Sequence, residues 1–72
     1  MRSLSDAAAG GTYRITWIVG ALGKALKELF RLDVDEQIQV LQKTKRHVVV
    51  RCSGRKIVMS SDAAFSVKVI AI

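Results

Sequence analysis

The chain has no proline, one cysteine and one histidine. Without proline there is no proline-rich spacer, and no repeat or low-complexity block interrupts the sequence. A lone cysteine rules out an internal disulfide and fits a reducing, cytoplasmic setting. His47 and Cys52 sit an odd number of residues apart in one extended stretch. A side-chain period of two turns them to opposite faces and leaves no Cys–His dyad. The glycine-rich loop ending in Lys-Ser/Thr that cradles phosphates is missing, so the chain is not itself a nucleotidase. No apolar run approaches the ~20 residues of a spanning helix; the longest uncharged one covers residues 15–23. The opening stretch through Gly11 contains Asp6 and no long apolar segment, unlike a secretory signal. Acids are scarce too: six against twelve Lys and Arg, a net charge of +6. Together these absences predict a cytoplasmic, non-enzymatic protein with no catalytic set and no cofactor.

With 72 residues, half of them hydrophobic, residues 1–72 make a single domain. A chain of this size buries about 60% of the surface its unfolded form exposes, enough for one small core. The basic balance points to nucleic acid, an anionic membrane surface or an acidic protein partner, with a plain solubility charge as the bland alternative.

One segment has helical period. Leu22, Ala25, Leu26, Leu29 and Phe30 recur at i, i+3, i+4, i+7 and i+8, with Lys24, Lys27, Glu28 and Arg31 opposite. This predicts a helix whose leucines cover a sheet. Elsewhere the pattern alternates or runs apolar in short bursts. Ser3-Leu4-Ser5-Asp6 offers two caps for a turn through Ala7-Ala8-Ala9, and Gly10-Gly11 turns into Thr12–Val19, with Tyr13, Ile15, Trp17 and Val19 on the inner face. After the polar turn Asp33–Glu36, Gln37–Lys43 alternates with Ile38 and Val40 inward. Lys43-Thr44-Lys45-Arg46 is a charged hairpin tip. His47–Cys52 places Val48, Val50 and Cys52 inside, and Ser53-Gly54-Arg55 turns into Lys56–Met59. A capped turn over residues 60–64 precedes a last strand, Phe65–Ile72, with Phe65, Val67 and Val69 inward. The fold class is mainly β with one α-helix: five strands in a small, partly open barrel, with the helix between strands one and two.

This order resembles the ferrous iron transport protein A (FeoA) family of small SH3-like barrels. Leu4 with Ser5-Asp6, then Gly10-Gly11-Thr12 into Tyr13-Arg14-Ile15, matches the family's opening. Leu22, Leu26 and Leu29 match its Leu-x-x-x-Leu-x-x-Leu helix. Glu36, Ile38 and Val40, then Val48–Val50, Gly54, Ile57–Met59, Asp62-Ala63 and Val67 with Val69 match the remainder. The likeness spans nearly the whole chain and rests on order and spacing together. The member is divergent. Where the family has Gly after the helix and Pro-Gly before the second strand, Phe30-Arg31-Leu32 and Asp33-Val34-Asp35 stand here. The family's Ala-Pro-Leu-Gly-Asp-Pro-like hairpin tip is replaced by the shorter Lys43–Arg46.

The resemblance implies an accessory role in bacterial ferrous iron uptake, a transition-metal transport system. The partner it implies is the cytosolic part of FeoB, the membrane transporter with a GTP-binding domain, so contact with the membrane runs through that partner. Self-association is left open. The residues themselves offer no metal set. Asp33, Asp35 and Glu36 cluster in one turn but lack the glycine and distal glutamate of a calcium loop, and a solvated turn is the preferred reading. Arg46, Arg51 and Arg55 are candidate arginine fingers on the weakest grounds. The partner-binding candidates are Lys24, Lys27 and Arg31 on the outer helix face, Lys43, Lys45 and Arg46 on the first hairpin, and Arg55 and Lys56 on the second, a basic surface without interspersed acids. Val49, Val58, Ile18, Ile70 and Ile72 fall on nominally outer strand faces and offer an apolar one. Two alternatives stand beside transporter docking. One is a nucleic-acid-binding small barrel, disfavoured because Tyr13, Trp17, Phe30 and Phe65 are all assigned inward. The other is a detached module related to the C-terminal SH3-like domain of metal-dependent repressors.

Overall fold

A computed structural model describes residues 2–72. β1 (Arg2–Ser3) leads into a 3₁₀ turn at Leu4–Asp6, followed by β2 (Thr12–Ile18) and α1 (Gly20–Phe30). Then come β3 (Gln37–Lys43), β4 (His47–Cys52), β5 (Arg55–Ser60), α2 (Ser61–Phe65) and β6 (Val67–Ala71). All pairings are antiparallel, in the order β1-β6-β2-β3-β4-β5. The fold is mainly β, as the alternation predicts, but it has six strands where five were expected. The additional one, β1, pairs Arg2 with Val69 and Ser3 with Lys68. Two residues are too few to show a period.

β1 and β5 end the sheet without pairing to each other, so the barrel keeps two edges that closure would have removed. Across that seam α2 packs on both β5 and the 3₁₀ turn. Buried Ala63 and Ala64 face fully buried Leu4 and Ala7 in one core with Ile15, Ile38, Val40, Val48, Val50, Val67 and Val69. Alanines fit here because a short helix and a backbone turn approach closely only with small side chains between them.

The inner sets of β3 and β4 match the alternation: Ile38, Val40, Val48, Val50 and Cys52 are buried. β2 departs from it. A bulge between Ile15 and Trp17 adds one residue against β6 and reverses the period, so Trp17 is 60% exposed and Ile18 turns to the core. Phe65 is also 60% exposed, because it closes α2 and the last strand begins only at Val67.

The helix occupies the expected place with a different face inward. Only Gly23 and Leu26 are buried, and Phe30 packs against the core. Leu22 and Leu29 are 49% and 74% exposed, contrary to their assignment as core. The cause is Gly23. A Cβ there would lie 2.8 Å from Ile18 Cγ2 and 3.5 Å from Ser66 Cβ, so the helix backbone itself meets β2 and the end of α2. That approach puts the line Gly23-Leu26-Phe30 inward and leaves Leu22 and Leu29 on a flank. The idea that this fold depends on a leucine lid is therefore wrong. Strand side chains and α2 close the core, and Leu32, fully buried just after α1, anchors the helix's far end.

Among the described residues three non-glycines have positive φ, two of them Arg31 (55°) and Asp35 (74°). Arg31 is the C-cap of α1, the position where a left-handed residue commonly ends a helix. The third is Ser53 (53°), followed by Gly54 (75°). Two successive positive φ values make the β4–β5 connection a type I′ turn, the two-residue form whose twist matches its strands.

Candidate interaction surfaces

All eight basic candidates are exposed, but the fold does not gather them into one patch. Lys43, Lys45 and Arg46 stand at the β3–β4 connection. Thr44 organises it, its Oγ1 accepting from the backbone N–H of Arg46 (3.3 Å) and His47 (3.0 Å). Lys43 Nζ donates to Ala7 O at 3.2 Å. Ser61 ties the tip to α2: its Oγ donates to Lys45 O (2.9 Å) and its N–H to Arg46 O (2.8 Å). A hollow of about 220 Å³ opens there, lined by Lys45, Arg46, Ser60, Ser61 and Asp62. The Asp62 carboxylate thus joins the cations in this hollow, against the expectation of a patch free of acids.

Arg55 and Lys56 lie at the other end of β4, roughly 20 Å away at ~3.3 Å per residue. The Arg55 guanidinium donates to Phe30 O at the C-terminus of α1, where a cation is electrostatically favoured. Arg31 follows directly. Beside them Glu36 Oε2 accepts from Ser53 Oγ (2.5 Å) and from Cys52 Sγ (3.5 Å). Burial, then the neighbouring Glu36 carboxylate and its hydrogen bond, push the Cys52 thiol up from its ordinary value. The thiol therefore stays protonated and inert. Lys24 and Lys27 project from α1 on the helix that also exposes Leu22 and Leu29.

The outer sheet face was expected only as an apolar surface: Val49 and Val58 do pair there, with Val58 57% exposed, while Ile18 turns to the core instead. Cα pairing sets Thr12 beside Gln39, Gln39 beside Arg51 and Arg51 beside Lys56. A second row runs Ile70, Arg14, Gln37, and Trp17 pairs with Lys68. Lys68 Nζ lies 3.9 Å from the Phe65 ring centroid and donates to Phe65 O and Ser3 Oγ, both at 2.7 Å. Outward parity marks Arg14, Arg51 and Lys56 in the sequence. Their lateral pairing and the bulge that exposes Trp17 have no sequence signal.

Among the described residues no group of three or more His, Cys, Asp or Glu is placed to hold a metal ion. Asp33 Oδ1 accepts from the Val34 N–H at 2.8 Å, and Glu36 is turned to Cys52 and Ser53. Exposed His47 stands at the start of β4 and buried Cys52 at its end. Among the described residues no helix is long and apolar enough to cross a membrane.

No protein-family model and no curated protein sequence matches this chain. Solved structures do. An iron uptake regulatory protein, FeoA, is 20% identical with a TM-score of 0.84, over 99% of this chain and 96% of that one. A FeoA-like protein from Clostridium acetobutylicum is 12% identical with a TM-score of 0.88, over 99% of this chain and 86% of that one. A manganese-dependent transcriptional repressor is 18% identical with a TM-score of 0.88 over 99% of this chain. The present chain spans only 41% of that repressor's length. The resemblance read from the order of motifs therefore holds in three dimensions: this chain has the small SH3-like fold of the FeoA proteins, which the repressor carries as one part of a longer polypeptide.

Proposed function

We propose that the chain is an accessory protein of ferrous iron uptake that acts in the cytoplasm by docking to the cytosolic part of an FeoB-type transporter. The observation that carries this reading is mutual coverage: the alignment takes in 99% of this chain and 96% of a FeoA protein, so the two share their fold over nearly the whole of both chains. The surface suited to docking is the exposed flank of α1. Leu22 and Leu29 supply apolar area that the core does not use, and Lys24 and Lys27 supply charge beside it. Arg31, Arg55 and Lys56 extend the basic side at the helix C-terminus. Lys43, Lys45 and Arg46 form a separate contact at the far end of the sheet. The role needs no turnover by the chain itself.

Retention on the immobilised cytosolic part of the transporter at low salt tests this. Leu22→Ser with Leu29→Ser is expected to abolish retention while leaving the folded circular dichroism spectrum unchanged. No retention of the unaltered chain would count decisively against docking. The match to part of a repressor favours a second reading, a module that regulates from within or beside a DNA-binding protein. Retention on a metal-dependent repressor, and not on the transporter, would select it.

A further inference from the structure

We propose that the outer face of β6, β2, β3, β4 and β5 binds single-stranded RNA. The inference does not rest on transporter docking, whose apolar centre is the flank of α1, and Lys56 is the one residue the two surfaces share. It starts from the distribution of charge. The six carboxylates fall in the 3₁₀ turn (Asp6), α1 (Glu28), the α1–β3 connection (Asp33, Asp35, Glu36) and α2 (Asp62), and none lies on a strand. On their outer positions the strands carry Arg14, Arg51, Lys56 and Lys68 among the apolar Val49, Val58 and Ile70, and register sets two of the cations side by side. Arg51 and Lys56 are Cα partners across β4–β5, one step from the hairpin turn. Directly opposed side chains have Cβ atoms about 4.5–5.5 Å apart, and like charges so placed repel. Arg14 lies on the same face two strands away, and all three are exposed. A polyanion laid across the face relieves this repulsion, and none of the protein's own carboxylates shares the strands.

Charge alone would equally suit an acidic peptide; two further features select nucleic acid. The β2 bulge turns Trp17 outward, one outer position from Arg14 and paired with Lys68. An exposed indole beside cations is a stacking platform for an unpaired base. Between the cations stand Thr12, Gln37 and Gln39, hydroxyl and amide groups that can both donate to and accept from base edges and the ribose 2′-OH. A carboxylate peptide would leave the indole and amides unused. A curled, convex sheet offers no element to enter a duplex groove, so the strand bound is single. The expectation that this barrel has no outward aromatic therefore falls with Trp17 and Phe65.

Trp17 is the only tryptophan, so its fluorescence reports the contact directly. Titration of the full chain with a 12-nucleotide oligouridylate in 50 mM salt is expected to give saturable quenching. With three phosphate contacts at about 0.7 per contact, the log–log salt slope is about −2, and affinity falls about 20-fold between 50 and 200 mM salt. Arg51→Gln with Lys56→Gln, both exposed, is expected to keep the folded spectrum, weaken binding and reduce the slope to about −0.7. Lys45→Gln with Arg46→Gln, off this face, is expected to change neither. Absence of quenching, or a salt slope unmoved by the Arg51/Lys56 variant, would overturn the proposal. Equal quenching by poly-L-glutamate would assign the face to acidic protein instead, and equal affinity for oligothymidylate would overturn the assignment to RNA.

Discussion

The two helices divide the work of this small domain unequally. α2 has five residues, buries Ala63 and Ala64, and is capped by Ser60, whose Oγ accepts from the Ala63 N–H at 3.1 Å. α1 has eleven residues, buries only Gly23 and Leu26, and has no side-chain cap at its N-terminus. The shorter element lies over the seam between the sheet's edges, while the longer touches the core along one line and shows solvent two leucines. Length and amphipathic pattern are poor guides here to which helix holds the fold. What matters is where each helix meets the backbone of its neighbours. α1 meets them at a glycine, so its leucines are left for another use.

Substitution tests this division most severely at the seam. Leu4 is fully buried under α2, and Leu4→Ala is expected to cost about 2–5 kcal/mol of unfolding free energy. Leu29→Ala, on the exposed flank of α1, is expected to stay within about 0.5 kcal/mol. Urea denaturation of the two variants measures both, and equal losses would erase the contrast between the helices. Next in size is the α2 cap. Ser60→Ala removes the acceptor for the Ala63 N–H and is expected to cost about 1 kcal/mol, read as a lower thermal midpoint. No side chain plays that part at the start of α1.

At the end of α1 the expected change has the opposite sign. Arg31 holds φ at 55°. A left-handed conformation costs a non-glycine residue about 1–2 kcal/mol, and glycine in turn loses roughly 0.5–1 kcal/mol more entropy on folding. Arg31→Gly is therefore expected to stabilise by about 0.5–1 kcal/mol. A loss would mean that Arg31 makes up for its backbone strain through a contact of its side chain.

The parts of this fold visible in the sequence are those where one local period decides. Val48, Val50 and Cys52 alternate without interruption and are buried as read. A capped turn over residues 60–64 was legible from its local composition, and the cap proves to be Ser60. The rest depends on relations between segments. Only pairing with β6 shows that β2 has a residue too many at the bulge, and only the meeting of Gly23 with Ile18 shows which side of α1 is inner. The basic candidates suffered likewise. Each was correctly placed outside, yet Lys45 and Arg55 belong to opposite ends of β4, whereas Arg51 and Lys56 became neighbours only through the register.

Cys52 carries the smallest effect, and it bears on the strand region alone. Its thiol is held protonated first by burial, then by the Glu36 carboxylate that accepts its hydrogen bond. In the unfolded chain the thiol ionises near its ordinary value of about 8.5. Above that pH the folded chain keeps a proton that the unfolded chain has lost, so stability must fall as pH rises toward the folded pKa. The discriminating quantity is a difference between two chains that share every other ionisable group. Between pH 7 and pH 10 the unaltered protein is expected to lose more stability than Cys52→Ala, measured by urea denaturation at each pH. Parallel curves would show that the thiol shifts equally in both states, and that the β4–β5 hairpin beside Glu36 is wetter than the buried sulfur implies.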